Sequence, residues 1–283
     1  MQARPTSSAA AAQDSTSNSN YKIIPDIANF TKTESTRPAF DHSDTPIEVT
    51  KSPYPEWTYG QGVPGYTSSP SLKCKHHEID PYAPTRTQVS NYRLLISGIA
   101  PRPIALVSTV SSLPSQPPRG DETPVTENLA PFSYFQLIEH DPPTFVLGFF
   151  SRPGREEDTF RNLKATGECV INTVSEGMLE AVNATALDAP VGVSEWDVSG
   201  LTKVESTTVA PARVAESVFC VEGRVVDIKE FASDANGMSA SGVVLIRATR
   251  FWVQEGAADE DFTHISLDKL RPVAQLGGIS VLF

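Results

Sequence analysis

The chain has 283 residues, 39% hydrophobic and 20% charged, enough for one large domain or two small ones. Its formal net charge of -11 argues against a nucleic-acid reader and against docking on an anionic membrane, and no stretch approaches the roughly 18–20 consecutive apolar residues of a membrane span. Cys74, Cys169 and Cys220 are far apart with no C-x-x-C, which excludes a zinc-ribbon or disulfide framework and points to a reduced, cytoplasmic compartment.

Residues 1–48 begin with an Ala/Ser/Asn/Gln-rich run and are predicted to be a disordered tail. The alanine run lacks the hydrophobic stretch of a secretory signal, and Arg4, the single arginine of residues 1–20, is too few for a transit peptide. Residues 49–80 stay rich in Pro, Gly, Ser and Thr but carry Tyr54, Trp57, Tyr59 and Tyr66. They have too few periodic apolar residues for a core and are expected to form an extended arm held by those aromatics. The organised domain is predicted over residues 81–283.

Strands are expected at Ile104–Ser111, Thr144–Phe150, Glu168–Asn172, Val218–Ile228 and Gly242–Val253, from their β-branched and aromatic runs. Gly223 marks a bulge or bend inside the fourth, and Asp141-Pro142-Pro143 is expected to stand outside the paired part of the second. Two short helices interrupt them. Asp158 is the expected N-cap of one that Gly167 ends, and Ser175 of one that places Met178, Leu179 and Val182 on one face. Many strands with few short helices make a mainly β fold, a closed or half-open antiparallel barrel. The dinucleotide and P-loop glycine motifs are both absent.

Catalytic motifs are sparse. His76 and His77 are adjacent and point opposite ways on an extended chain, a poor metal clamp; no metal is expected. Cys169 and Cys220 sit in apolar strands as core thiols. Small polar and basic groups instead gather at strand ends. Arg102 lies between two prolines, Ser108 and Thr109 follow on the next strand, and Asn128 and Ser133 flank Pro131. Ser151-Arg152-Pro153-Gly154-Arg155 empties into the helix at Asp158, a pattern suited to a phosphate through helix N–H groups, dipole and guanidinium forks. On spacing alone a solvated loop paired to Glu156 and Glu157 is the alternative.

Ile99–Ser111 and Asn128–Phe135 closely resemble the flavin reductase-like, FMN-binding split-barrel family. So do Asp141–Pro143, Asp158-Thr159, Thr166–Asn172, Gly192–Trp196 and Leu276–Ile279, in the same order. The resemblance implies a six-stranded antiparallel Greek-key split barrel with short helices, acting as a homodimer with FMN near the subunit interface. It implies flavin or phosphate contacts for Arg102, Ser108, Thr109, Asn128, Ala130, Ser133, Ser151, Arg152, Arg155, Asp158 and Thr159. Trp196 and His264 lie in segments expected to reach the substrate pocket, although packing is the alternative role of each. No obligatory acid or base is identified. Members use NADH or NADPH to reduce flavin, and some pass reduced FMN to a partner oxygenase. The expected function is therefore an NAD(P)H-dependent flavin reductase, the alternatives being an FMN oxidoreductase with its own small organic substrate and a non-catalytic flavin binder. Two positions depart from the family pattern: Glu157 stands where a lysine is usual, and Val281 where a tyrosine is usual.

Overall fold

The computed structural model describes residues 35–42, 45–65, 74–112, 125–150, 156–187, 193–231, 241–277 and 280–282. Most of the predicted tail, Tyr66 and the Ser151–Arg155 loop lie outside them.

Helix α1 (Gln88–Gly98) precedes the sheet; Thr87 caps it by accepting from Ser90 N. The strands follow as β1 (Arg102–Pro103), β2 (Ala105–Val110), β3 (Glu127–Phe132), β4 (Phe135–His140) and β5 (Pro143–Phe149). Next come α2 (Asp158–Thr166), β6 (Glu168–Thr173), a 3-10 turn at Glu176–Met178, α3 (Leu179–Ala184) and α4 (Glu195–Ser199). The chain ends with β7 (Lys203–Val204), β8 (Arg213–Val214), β9 (Phe219–Glu230), β10 (Gly242–Val253), α5 (Leu267–Leu270), β11 (Ala274–Leu276) and β12 (Ser280–Leu282).

Seven of these strands form one antiparallel sheet in the order β3-β2-β6-β9-β10-β5-β4, beside a three-stranded β1-β11-β12 sheet and a β7-β8 pair. The seven-stranded sheet corrects the six expected. The extra strand arises where the Asn128–Phe135 stretch splits into β3 and β4 on either side of Ser133 and Tyr134. Those two strands lie at opposite ends of the strand order, yet only Ser133 and Tyr134 separate them. Three residue steps span at most about 11 Å, so the two edges of the sheet must meet there and the sheet is rolled into a barrel. Gly148 N, on β5, donates to Tyr134 O at 2.7 Å across that junction.

Period-2 alternation fills the barrel. Ala105 and Val107, Phe145, Leu147 and Phe149, Cys169 and Ile171, and Val244 and Ile246 point inward together, with Phe160 and Leu163 of α2 packed against them. Burying a side chain such as Phe160 contributes about 1.5–3 kcal/mol. The other face of β2 is also covered: Leu106 and Leu129 meet Met178, Val182, Trp196 and Val214 in a second cluster. That explains why β2 is buried at every position, Ser108 and Thr109 included.

Several local expectations change. Pro143 is the first paired residue of β5, opposite His140, a position where the missing N–H costs nothing. Asp158 is the first residue of α2 rather than its cap; Glu157 takes the cap position, and its side chain does not cap the helix N–H groups. Gly167 ends α2 as expected, in the left-handed region at φ 70°. Ser175 takes the N-cap position of the 3-10 turn at Glu176–Met178 as expected, but its hydroxyl donates to Leu270 O instead of capping the turn. In the arm, Trp57 packs edge-on to Tyr59 at 6.0 Å and donates to Gly62 O at 2.7 Å. Contact with the barrel falls earlier, where Ile47 N donates to Asp268 Oδ1 at 2.6 Å and Arg271 donates to Thr45 O at 3.2 Å.

Candidate functional site

A cavity of about 190 Å³ opens between the outward edge of β3, the β3–β4 bend and the start of α2. It is lined by Arg102, Asn128, Ala130, Ser133, Asp158 and Thr159, all named above from sequence. Among the described residues β3 pairs only with β2, and no described strand pairs with its other edge. Part of that edge is closed by α4: Glu195 accepts from Leu129 N at 3.3 Å, and Ser194 Oγ donates to Glu127 O at 2.8 Å. Two residues beyond Leu129 comes Pro131, which has no N–H and is tolerated on an edge strand.

The wall behind this edge is a buried amide-hydroxyl network. Asn128 Nδ2 donates to Thr159 Oγ1 at 2.8 Å and lies 3.4 Å from Thr109 Oγ1, which also accepts from Asn162 at 3.0 Å. These bonds tie β2, β3 and α2 together and fix where α2 begins. The first N–H groups of α2 have no acceptor inside the helix, and Glu156, Glu157, Asp158 and Thr159 all face the cavity. Phe150 lines it as well, so the chain leaves for residues 151–155 and returns from them at this same cavity.

Ser108 and Thr109 are buried off the cavity; the Ser108 hydroxyl donates to Ala212 O at 2.5 Å. Ser151, Arg152 and Arg155 lie outside the described residues. Trp196 is packed in the second cluster, with the Lys203 ammonium 5.5 Å from its ring centre. His264 sits on an exposed loop, its Nδ1 3.0 Å from Asp259 Oδ2. Neither lines the cavity. The spacing argument did not find Tyr92 and Ile96 of α1, Tyr134, Gly148, Glu195 and Gln275, which do.

Charge on the described walls is uneven. Glu156 pairs with Lys164, and Asp158 with Arg161 at 2.8 Å, while Glu157 and Glu195 add two further carboxylates to the lining. Burial, and then the neighbouring Tyr92, hold the Tyr134 phenol above its ordinary range despite the opposing pull of Arg102; it stays protonated at neutral pH. Burial pushes the Cys169 thiol up to about 12, leaving it a core group. The lining can bind and orient a ligand, but it offers no nucleophile activated by a neighbouring base.

Residues 97–271 match the flavin reductase like domain family. A protein of Halalkalibacterium halodurans, described only as uncharacterized, is 34% identical over 191 residues, covering 66% of this chain and 84% of that one. Among solved structures, nitrilotriacetate monooxygenase component B of Bacillus cereus superposes with a TM-score of 0.64 at 27% identity, over 74% of this chain and 96% of that one. The 2-nitrobenzoate 2-nitroreductase of Pseudomonas fluorescens does so with a TM-score of 0.57 at 26% identity, over 69% and 87%. Barrel, cavity and these matches define a flavoprotein oxidoreductase fold. The chain belongs to the flavin reductase-like domain family.

Proposed function

We propose that the protein is an NAD(P)H-dependent flavin reductase that binds FMN in the cavity between β3 and α2 and acts in the cytoplasm as a homodimer. What carries the reading is the meeting, in one cavity, of the α2 N-terminus with the open edge of β3, inside a domain of this family. A phosphate is served by the α2 N–H groups and dipole. Arg152 and Arg155, six and three residues ahead of Asp158, are its guanidinium partners. Tyr92 and Tyr134 flank the rim, where a planar ring packs favourably. The described cavity is smaller than the roughly 300–1,000 Å³ of most small-molecule sites, which supports completion by a second subunit.

Bound flavin supplies the two-electron redox chemistry, with NADH or NADPH as donor. The chain's own part is to hold the phosphate at α2, present backbone groups of β3 to the ring edge, and keep water from its buried side. The likeness to a component B of a monooxygenase supports an oxygenase partner for the reduced flavin. The likeness to a nitroreductase, together with the Tyr92–Tyr134 rim, favours a second reading: FMN is retained and an organic substrate is reduced at the same cavity.

Glu157 tests the phosphate assignment. A carboxylate at the mouth of α2 repels a phosphate, and lysine there attracts it; the two unit charges act over a few ångströms in a partly hydrated setting. Glu157→Lys is expected to tighten FMN several-fold while leaving riboflavin nearly unchanged, with the gain shrinking as salt rises. Titrating both flavins at low and high salt checks it. An equal change for both ligands contradicts the assignment.

A further inference from the structure

Arg102 is only 7% exposed, and among the described residues no carboxylate pairs with it. Its donors go instead to chain segments that build the cavity. Nη1 donates to Ile96 O and to Ile99 O, both at 2.6 Å, and Nη2 to Gly277 O at 3.2 Å; Nε lies 3.4 Å from Ser133 Oγ. Of five N–H groups, one remains for anything else. Three separate segments converge on this fork: the C-terminal end of α1, the β3–β4 bend and the turn after β11.

Helix α1 has little else to hold it. Ile96 is its one buried residue, while Val89, Leu94 and Leu95 are exposed. Among the described residues its other hydrogen bonds are local, running within residues 81–99: Asn91 to Arg86 and Pro81, Ser90 to Arg86 and Thr87, Ser97 to Arg93 and Leu94. A cation at the last carbonyls of a helix also suits its dipole. Yet α1 contributes Tyr92 and Ile96 to the cavity wall.

We infer that Arg102 is a positioning residue, a latch that fastens α1 and the β3–β4 bend around the cavity, rather than a phosphate ligand. The inference rests on the proposed flavin site for its ligand consequence and on the hydrogen bonds alone for its structural one. Removing the fork releases α1, and Tyr92 and Tyr134 lose their fixed spacing. Both halves of the rim then loosen, whatever phosphate the ligand carries. Lysine keeps the charge but is a single ammonium point, unable to span acceptors set out for a planar fork.

The test uses the full chain with Arg102→Ala and Arg102→Lys, read in three ways. Tryptic cleavage after Arg93, inside α1, is expected to accelerate about tenfold or more in both variants. The Tyr134 titration, isolated by comparing each protein with its Tyr134→Phe counterpart, is expected to fall toward the ordinary phenol value as the rim opens. FMN and riboflavin are expected to weaken by the same factor, about tenfold. A phosphate ligand gives the opposite set: selective loss of FMN, unchanged cleavage after Arg93 and, in Arg102→Ala, a Tyr134 titration that rises because a nearby positive charge has gone from an intact rim. That result overturns the inference. Should Arg102→Ala fail to fold, Arg102→Lys decides by cleavage after Arg93 and by whether FMN and riboflavin weaken equally. If the wild type binds no flavin, the proposed function fails, while proteolysis and titration still decide the role of Arg102.

Discussion

Glu222→Gln is expected to lower the melting temperature by roughly 5–15 °C, the largest effect of any near-isosteric change in the barrel. Glu222 lies on β9 with no exposed surface. One carboxylate oxygen accepts from Thr207 N at 2.8 Å and Trp252 Nε1 at 2.6 Å; the other accepts from Thr208 N at 2.6 Å and Thr208 Oγ1 at 2.5 Å. An amide keeps the volume but replaces one oxygen with an NH₂ that cannot accept. Up to two donors then lose their acceptor beside a side chain with no exposed surface, at about 1–3 kcal/mol each.

The same group sets a pH signature. Burial alone raises the Glu222 pKa, but the Thr208 hydroxyl, the Thr207 and Thr208 amides and Trp252 together outweigh it and leave the carboxyl below its ordinary 4.5. A depressed folded pKa means stability that is fully present above the unfolded value and lost as pH falls through the folded one. Glutamine has no such dependence. The gap in melting temperature between wild type and Glu222→Gln is therefore expected to narrow below about pH 4.5. A gap that is constant with pH contradicts the role given to the carboxylate.

The adjacent residue carries the second large effect. A Cβ on Gly223 would overlap Ile246 Cγ2 and stand 3.5 Å from Arg247 O. Ile246 is fully buried in the barrel core and has no free volume to move into. The β9–β10 register shifts on either side of this point, between Leu245 and Ile246 and between Ala248 and Arg250, so the strands are already bent around the glycine. Gly223→Ala is expected to cost about 1–3 kcal/mol, seen as a fall of several degrees in thermal melting. An unchanged melting temperature would show that β9 and β10 are not drawn together at this residue.

Gly223 was legible because a glycine inside a β-branched run has few other reasons to be there. The inner strands β2, β5, β6, β9 and β10 were legible for a related reason: each buries at least one face and carries the alternation or apolar run that burial requires. β3 and β4 were not. β3 is an edge strand whose Asn128 and Pro131 look like loop residues, and β4 is exposed along almost all its length, so neither shows the pattern of a core strand. α1 escaped because only Ile96 is buried in it, leaving no helical stripe; its one signal was Thr87 ahead of Ser90.

The site was half legible. Asn128, Ala130, Ser133, Asp158 and Thr159 share a cavity because β3 with the bend after it meets the start of α2, two strands further along the chain. Arg102 was found, but its partners were not: Ile96 O and Ile99 O belong to a helix with no apolar stripe to announce it, and Gly277 O is remote in sequence. Tyr92, Tyr134 and Glu195 carried no local signal for the cavity; only the rolled sheet and the placement of α1 and α4 bring them together.

The central claim is that the cavity between β3 and α2 takes FMN and that NAD(P)H reduces it there. Titration of the purified full-length chain with FMN, followed by flavin fluorescence and by oxidation of NADH and of NADPH with and without the flavin, tests it most directly. The account predicts saturable binding near one FMN per subunit, weaker binding of riboflavin, and nicotinamide oxidation that depends on added or retained FMN. A chain that binds neither flavin, or that binds FMN but oxidises neither nicotinamide, would contradict it.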